Sequence, residues 1–167
     1  HAMGSGTGLA AGFGQLEKFG YTQPVIGVCG DSTFFHSGIS GLINAVFNNH
    51  NFTLVILDNR VTAMTGHQPN PGVDMTELNF DGYGQIQIED LVKSLGVKHL
   101  SVINPYNIKK STDIIRQALE FKGVSVVIAK KKCTLYAASL KQLKDRAFYV
   151  SDKCMDHKTC INEIACP

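Results

Sequence analysis

Residues 24–33 have the sequence PVIGVCGDST, and residues 52–61 have the sequence FTLVILDNRV. In both stretches an apolar run, typical of a buried strand, ends in residues with polar side chains. The residues between them, Gly38 to Asn49, have the pattern of a single helix. A strand, a helix and a second strand in this order form a βαβ unit, in which the two strands run parallel. These residues therefore predict an α/β fold.

The rest of the chain continues the alternation of strands and helices. This alternation predicts a doubly wound parallel sheet. The predicted strands cover 24–29, 52–57, 99–103 and 124–129, and the predicted helices cover 5–19, 38–49, 88–95 and 111–121. In the first of these helices, Gly6 and Gly8 would allow another backbone to approach closely.

The chain is predicted to form one domain followed by a short tail. Its 167 residues can bury a single core. We place the domain at 1–132, a linker with a short helical piece at 133–153, and a cysteine-rich tail at 154–167. Inside the domain, the stretch 60–85 is long and irregular and contains several Pro and Gly residues. A loop of this length in a compact domain is more often functional than accidental.

Composition excludes several classes of protein. The 16 Lys and Arg residues are balanced by 14 Asp and Glu, which does not favour nucleic-acid binding. The apolar runs are too short for a membrane span, and the N-terminus lacks the pattern of a signal peptide. Five cysteines, with three crowded near the C-terminus, suit a reducing cytoplasmic compartment and a metal or redox motif better than disulfides.

The polar residues after the two central strands indicate a binding site. Ligands of parallel α/β sheets bind at the carboxyl ends of the strands. Asp31 and Asn59 would both lie at that edge, and their oxygens suit a hard cation that holds a diphosphate. The backbone amides of Ser32 and Thr33 enter a helix and would bind an anion. The alternative for Asp31 is a helix N-cap, a position that Asp favours.

These motifs carry a resemblance to a known family. The pair formed by Gly30-Asp31 and Asn59 resembles the diphosphate-binding motif of thiamine diphosphate enzymes. The longer stretches GDSTFFHSGISGLINAVFN and VILDNRVTAMTGHQPNPG resemble the large subunit of indolepyruvate:ferredoxin oxidoreductases. The resemblance runs from Met3 to the last residue. Ser32 stands where most thiamine enzymes have Gly, and Ser at this position fits the indolepyruvate group.

The resemblance implies a set of ligands for the cofactor. Mg²⁺ would be held by the side chains of Asp31 and Asn59 and by the backbone carbonyl of Val61. Thiamine diphosphate would be contacted by Gly30, Asp31, Ser32, Thr33, Asn59, Val61, Thr65 and Gly66.

Two histidines are candidate catalytic residues. His36 follows the diphosphate motif, and His67 follows the metal-binding turn. An imidazole at either position could move protons or orient a 2-oxoacid. The alternative is that each only hydrogen-bonds a loop. His50 is expected to be a helix C-terminal cap or a solvated residue.

The resemblance also implies the reaction and the partners. The complete enzyme would decarboxylate an aryl 2-oxoacid oxidatively, transfer the acyl group to coenzyme A and pass electrons to ferredoxin. A glutamate from a pyrimidine-binding domain, in the same or another chain, would activate the cofactor. A small β subunit would complete the enzyme. We therefore expect this chain to be inactive by itself.

The tail resembles a ferredoxin-like iron–sulfur motif. Cys154, Cys160 and Cys166 match its cysteines, and His157 replaces the second cysteine of the motif. Histidine can ligate iron in such clusters. The resemblance thus allows a [4Fe–4S] cluster in the full-length enzyme, and the alternative is a loose tail of reduced cysteines.

Two other functions stay open at this point. One is the thiamine subunit of a non-oxidative 2-oxoacid decarboxylase, of the sulfopyruvate or phosphonopyruvate type, although such enzymes need no ferredoxin-like tail. The other is a non-catalytic regulatory domain that retains the fold without the chemistry. Mg²⁺-dependent binding of the cofactor would disfavour the second.

Overall fold

The computed structural model describes residues 2–140. These residues form six α-helices and four strands in the order α1 (Ser5–Gln15), β1 (Ile26–Gly30), α2 (Asp31–Thr33), α3 (Ile39–Phe47), β2 (Phe52–Asp58), α4 (Ile88–Ser94), β3 (His99–Ile103), α5 (Ile108–Glu120), β4 (Val124–Lys130) and α6 (Thr134–Ser139). Within this part of the chain, none of the helices has the length and apolar character needed to cross a membrane.

The four strands form one parallel sheet, which confirms the predicted fold class. Their order is β1-β2-β4-β3. Gly30 at the end of β1 lies opposite Leu57, and Asp58 at the end of β2 lies opposite Lys130. Because all strands are parallel, their carboxyl ends meet at one edge, called here the carboxyl edge. The residues that follow β1 and β2 are therefore neighbours in space.

Helices cover both faces of the sheet, as in a doubly wound fold. Leu54 and Ile56 of β2 are fully buried on one face, in a cluster shared with Ala10 of α1 and Leu42 of α3. Val55 points to the opposite face and packs with residues of β3, β4 and α5. Successive side chains of a strand alternate between the two faces of the sheet. A strand buried on both faces therefore has a continuous apolar run, as Leu54 to Leu57 form in β2.

The helix after β1 begins earlier than the sequence predicts. Asp31 is its first residue, and α2, a π-helical segment (Phe34–Gly38) and α3 follow one another without a break. The predicted start of this helix at residue 38 was wrong. Gly38 is helical and packs against the buried Thr7 of α1. The glycine therefore serves helix packing and does not mark a helix start. π-Helical turns occur frequently at functional sites.

The helix before β4 also begins earlier than predicted. α5 starts at Ile108 instead of residue 111, because the Asn107 side chain caps it by accepting a hydrogen bond from the Lys110 amide at 3.2 Å. Asn is one of the residues preferred at this capping position.

Helix α1 approaches other backbones at Gly6 and Gly8, and most closely at a glycine that the sequence analysis did not single out. A Cβ atom added to Gly14 would lie 2.4 Å from the carbonyl oxygen of Asn51, so only glycine fits there. A Cβ at Gly8 would have open space around it, and a Cβ at Gly6 would make an ordinary 3.4 Å contact with the Val28 carbonyl. A Cβ added to Gly41 of α3 would lie 3.4 Å from the Gly8 amide nitrogen, so α1 and α3 do pack closely at Gly8, while Gly14 makes the tightest approach.

Residues 60–85 form the long irregular segment that the sequence predicts. It contains two short 3₁₀ turns, Ala63–Thr65 and Met75–Leu78. Helix α6 covers this segment, because buried Tyr136 packs with Val61 and Val73 in a separate apolar cluster. A linker with a short helical piece was expected at 133–153, and most of that range lies outside the described residues. The domain boundary at residue 132 stays a prediction.

Candidate functional site

Asp31 is a buried acid at the start of the helix. Only 3% of its surface is exposed. Its Oδ1 accepts a 2.7 Å hydrogen bond from the Ser32 amide, while its Oδ2 is buried and has no partner among the described residues. Gly30 occupies the N-cap position, so the N-cap alternative for Asp31 does not apply. A buried carboxylate oxygen without a partner is costly unless a ligand satisfies it.

Asn59 begins a tight turn at the end of β2. Its Oδ1 accepts a 3.1 Å hydrogen bond from the Val61 amide, and its backbone carbonyl accepts one from the Cys133 amide at 2.9 Å. Because an amide oxygen has two lone pairs, Oδ1 retains one for another ligand. The turn is fixed at both ends by these bonds, so Asn59 and Val61 have defined positions at the carboxyl edge.

Asp58 is a second buried acid at the same edge, and the sequence analysis gave it no role. It is 2% exposed, and its Oδ1 lies 3.2 Å from both the amide and the Nε of Arg60. Its Oδ2 is buried without a partner in the described chain. Burial raises the pKa of this carboxyl; Arg60 opposes the rise and the Asp31 carboxylate adds to it. The sequence signal was present, since Asp58 directly precedes Asn59.

Thr65 and Gly66 lie at the exposed tip of a small closed loop. The Thr62 amide donates to the Gln68 carbonyl at 2.9 Å, and the Thr65 hydroxyl donates to Oε1 of Gln68 at 2.6 Å. Gly66 has a φ of 117°, which side-chain-bearing residues rarely adopt. The loop holds its own shape and presents its tip away from the core.

The two candidate catalytic histidines are exposed. His36 lies in the π-helical segment, and His67 lies in the loop with a left-handed φ of 64°. The backbone amide of His67 donates to the Thr62 carbonyl at 3.0 Å. Both side chains are thus accessible near the carboxyl edge, and their catalytic roles stay predictions. The tail residues Cys154, His157, Cys160 and Cys166 lie outside the described residues.

The donor set at this edge fits a hard cation. The buried Oδ2 atoms of Asp31 and Asp58 both lack partners within residues 2–140. Carboxylate and amide oxygens are the ligands that Mg²⁺ prefers in proteins. A divalent cation would satisfy the orphaned oxygen of Asp31 and offset the repulsion between the two acids.

The sequence of the domain matches a defined family. Residues 1–129 match the family described as "Thiamine pyrophosphate enzyme, C-terminal TPP binding domain". The chain belongs to this family. The match covers all four strands and ends just before the last residue of β4. Thiamine pyrophosphate (TPP) is the compound called thiamine diphosphate above.

Two curated relatives are similar to this TPP-binding domain over almost its whole length. An indolepyruvate oxidoreductase subunit IorA from Methanothermobacter marburgensis is 44% identical over 170 residues, and one from Archaeoglobus fulgidus is 40% identical over 171 residues. Each alignment covers 99% of this chain and 26% of the relative. The chain thus spans about a quarter of the length of these relatives. The resemblance predicted from the sequence is confirmed.

Solved structures show the same fold at low sequence identity. A 2-oxoglutarate:ferredoxin oxidoreductase from Magnetococcus marinus superposes with a TM-score of 0.65 at 20% identity, covering 78% of this chain and 46% of that one. A thiamine diphosphate-dependent 4-hydroxybenzoylformate decarboxylase from Rhodococcus jostii gives 0.54 at 21% identity, covering 78% and 23%. These likenesses support the fold alone.

Proposed function

We propose that this chain binds the diphosphate half of TPP through a divalent cation at the carboxyl edge of its sheet. The observation that carries this proposal is the orphaned, buried Oδ2 of Asp31 in a domain of the TPP-binding family. Burying a carboxylate without a partner is unfavourable, and a bound cation would remove that cost.

The cation is Mg²⁺ in this proposal, and its protein ligands are Asp31, Asn59 and Val61. Asp31 supplies the charged oxygen. Asn59 supplies the free lone pair of its Oδ1, and Val61 supplies its backbone carbonyl. The hydrogen bonds that fix the turn support this set, because they hold the Asn59 side chain against the Val61 amide.

The diphosphate is bound by the backbone around the same edge. The amides of Ser32 and Thr33 lie in the first turn of the helix, where the helix dipole favours negative charge. The Ser32 amide donates to Oδ1 of Asp31 in this structure, so it would bind the phosphate only after leaving that acceptor. Gly30 leaves space for the phosphate, since nothing lies within 4 Å of the position a Cβ would take. Thr65 and Gly66 contact the cofactor from the exposed loop.

The bound cofactor supplies an electron sink for the cleavage of a 2-oxoacid. His36 and His67 bind the substrate carboxylate or move a proton at an imidazole nitrogen. Both are exposed in this chain, which suits residues that face a substrate between two domains.

The complete enzyme is proposed to be an aryl-2-oxoacid:ferredoxin oxidoreductase that acts on indolepyruvate and forms an acyl-CoA. The names of the relatives as oxidoreductase subunits support this. A pyrimidine-binding domain and a β subunit complete the enzyme, and ferredoxin accepts the electrons. Cys154, His157, Cys160 and Cys166 belong to the proposed [4Fe–4S] site of the full-length protein.

Calorimetric titration of TPP tests the proposal. We expect binding to this chain with Mg²⁺ and none with EDTA, and the variant Asp31→Ala should lose the binding. Asp113→Ala, an exposed acid on α5, is the matched control and should bind as the parent does. Metal-independent binding, or Mg²⁺-dependent binding that survives Asp31→Ala, would refute the cation site. The same titration on the full-length enzyme decides the case in which the isolated chain shows no binding.

A further inference from the structure

Arg60 makes more side-chain contacts than a surface arginine normally does. Its Nε lies 3.2 Å from Oδ1 of Asp58. One terminal nitrogen donates to the Gly72 carbonyl at 2.7 Å, and the other donates to Oε1 of Gln87 at 3.3 Å. The side chain is only 16% exposed. The guanidinium therefore joins the end of β2 to two points on the segment that follows it.

The backbone of Arg60 is held in an unusual conformation. Its φ is 63°, a left-handed value that costs a residue with a side chain of order 1 kcal/mol or more. Asn59 and Val61, the two proposed ligands in this turn, are its immediate neighbours. Because the strain persists, surrounding contacts must fix the turn, and the guanidinium supplies three of those contacts.

The contacts of Arg60 converge on one junction of the long segment. Oxygen of Gly72 also accepts a 3.0 Å hydrogen bond from Nε2 of Gln85. The Ile86 amide donates to the Pro71 carbonyl at 2.9 Å. Residues 70–73 and 85–87 are thus tied together, and Arg60 ties both to the cofactor edge. This junction joins the two ends of the segment that carries Thr65, Gly66 and His67.

Buried Asp58 anchors the guanidinium. Glu89 and Lys130 form an ion pair nearby. Burial would raise the pKa of Glu89, but the hydrogen bond from Lys130, with a small further contribution from the charge of Arg60, holds that pKa below its usual value. The planar fork of arginine can serve an acid and two other acceptors at once, whereas the ammonium of lysine is a compact point charge on a flexible stem.

We propose that Arg60 is a positioning residue that fixes the Asn59–Val61 turn and closes residues 61–87 over the cofactor edge. It touches neither the cofactor nor the substrate and acts through the backbone of its neighbours. This inference rests on the proposed function for its effect on the cofactor, but the tether itself can be tested without any ligand.

Hydrogen exchange of the full chain without ligand tests the tether. The variants are Arg60→Lys, which keeps the charge, and Arg60→Gly, which relieves the left-handed strain. Arg116→Lys, at an exposed position of α5, is the matched control. In both Arg60 variants we expect the amides of Val73 and Ile86 to exchange about tenfold faster, the scale of one lost charge-assisted hydrogen bond. The Val126 amide in the centre of the sheet should not change.

Titration of TPP with Mg²⁺ then tests the positioning role. Arg60→Lys should weaken binding about tenfold, a typical effect of residues that orient metal ligands, while Arg116→Lys has no effect. If both Arg60 variants exchange at the wild-type rates, the tether is wrong. It is also wrong if Arg60→Lys exchanges faster while Arg60→Gly exchanges at the wild-type rate, because relief of the backbone strain alone would then account for the effect. Faster exchange with undiminished TPP affinity would overturn the positioning role. If the wild-type protein itself does not bind TPP, the proposed function fails, and the exchange rates still decide the tether.

Discussion

The two edges of the sheet differ in the kind of titratable side chain that they bury. At the carboxyl edge, Asp31 and Asp58 are buried carboxylates, and each has an oxygen without a partner in the described chain. The opposite edge, where the strands begin, is called here the amino edge. There the ion pair of Lys122 with Glu17 is exposed, and the imidazole of His50 is buried. An imidazole can stay neutral when buried, while a carboxylate must be paired, coordinated or protonated.

This difference separates a binding edge from a structural edge. At the amino edge, Asn51 accepts from the Gly123 amide at 3.0 Å and donates to Glu17 at 2.6 Å. The Nδ1 atoms of His50 and His99 are buried there without a partner among the described residues, but a neutral imidazole carries no charge that must be compensated. At the carboxyl edge, the buried Oδ2 atoms of Asp31 and Asp58 have no partner among the described residues, and a bound cation would relieve this unfavourable burial. Four changes, from the largest expected effect to the smallest, would break or sharpen this comparison.

Asp31→Ala should have the largest effect, because it removes the charged ligand of the binding edge. We expect TPP affinity in the presence of Mg²⁺ to fall about 100-fold or more, as the loss of an interaction of about 3 kcal/mol with a charged group implies. Thermal unfolding without ligand should show a stable protein, since the variant also removes an unsatisfied buried charge. A variant that loses its fold would show instead that Asp31 is structural.

Tyr136 tests the apolar support under the binding edge. Its ring is buried against Val61 and Val73, and its hydroxyl has no partner among the described residues. Tyr136→Ala should lower the free energy of unfolding by about 3 kcal/mol, as for other buried aromatic side chains. Tyr136→Phe should stay within about 1 kcal/mol of the parent, because it removes only an unpaired hydroxyl. Urea denaturation measures the free energy of unfolding of both variants. If both lose the same free energy, the hydroxyl and not the ring of Tyr136 provides the support.

Asn51→Ala tests the structural edge. It leaves the Gly123 amide without its acceptor, which should cost about 1–2 kcal/mol of stability. TPP affinity should not change, because the residue lies at the opposite end of the sheet. Gln117→Ala, at an exposed position of α5, is the control for unfolding measurements. A drop in TPP affinity for Asn51→Ala alone would show that the two edges are not independent.

His50 gives the smallest effect, a dependence of stability on pH. Burial, with a smaller contribution from Lys18, lowers the pKa of this imidazole below its usual value near 6.5. The unfolded chain therefore binds the proton more readily. The free energy of unfolding is not reduced by this group above pH 6.5, and it falls as the pH drops below that value. Urea denaturation at several pH values should show this decline, and His50→Gln should flatten it. An unchanged slope in the variant would assign the decline to other groups.

Local sequence patterns were sufficient to predict the α/β fold class and the order of most helices and strands along the chain. The run from Phe52 to Leu57 predicts a buried strand, because its residues are apolar apart from Thr53. Asp31 and Asn59 could also be placed at one edge from sequence, since parallel strands bring their carboxyl ends together. The family could be recognised from the same motifs.

Local patterns failed where distant residues decide the conformation. The sequence predicts a helix start at Gly38, but the contact of this glycine with Thr7, on another helix, shows that it serves packing inside a helix that has already begun. His50 was expected to cap a helix or to be solvated. Its backbone amide does donate to the Ala45 carbonyl at the end of α3, but its side chain is buried, which no neighbour in sequence indicates.

The sequence by itself therefore determined the α/β class, the family and the pair of polar strand ends, because each depends on local periodicity or on a short motif. Tertiary structure decided which oxygens are left without partners and how the long segment is tied down. Arg60 meets Gly72 only when the segment folds back, and the Cys133 amide meets the Asn59 carbonyl only when β4 lies beside β2. Such contacts depend on the relative positions of whole elements, and no local pattern encodes them.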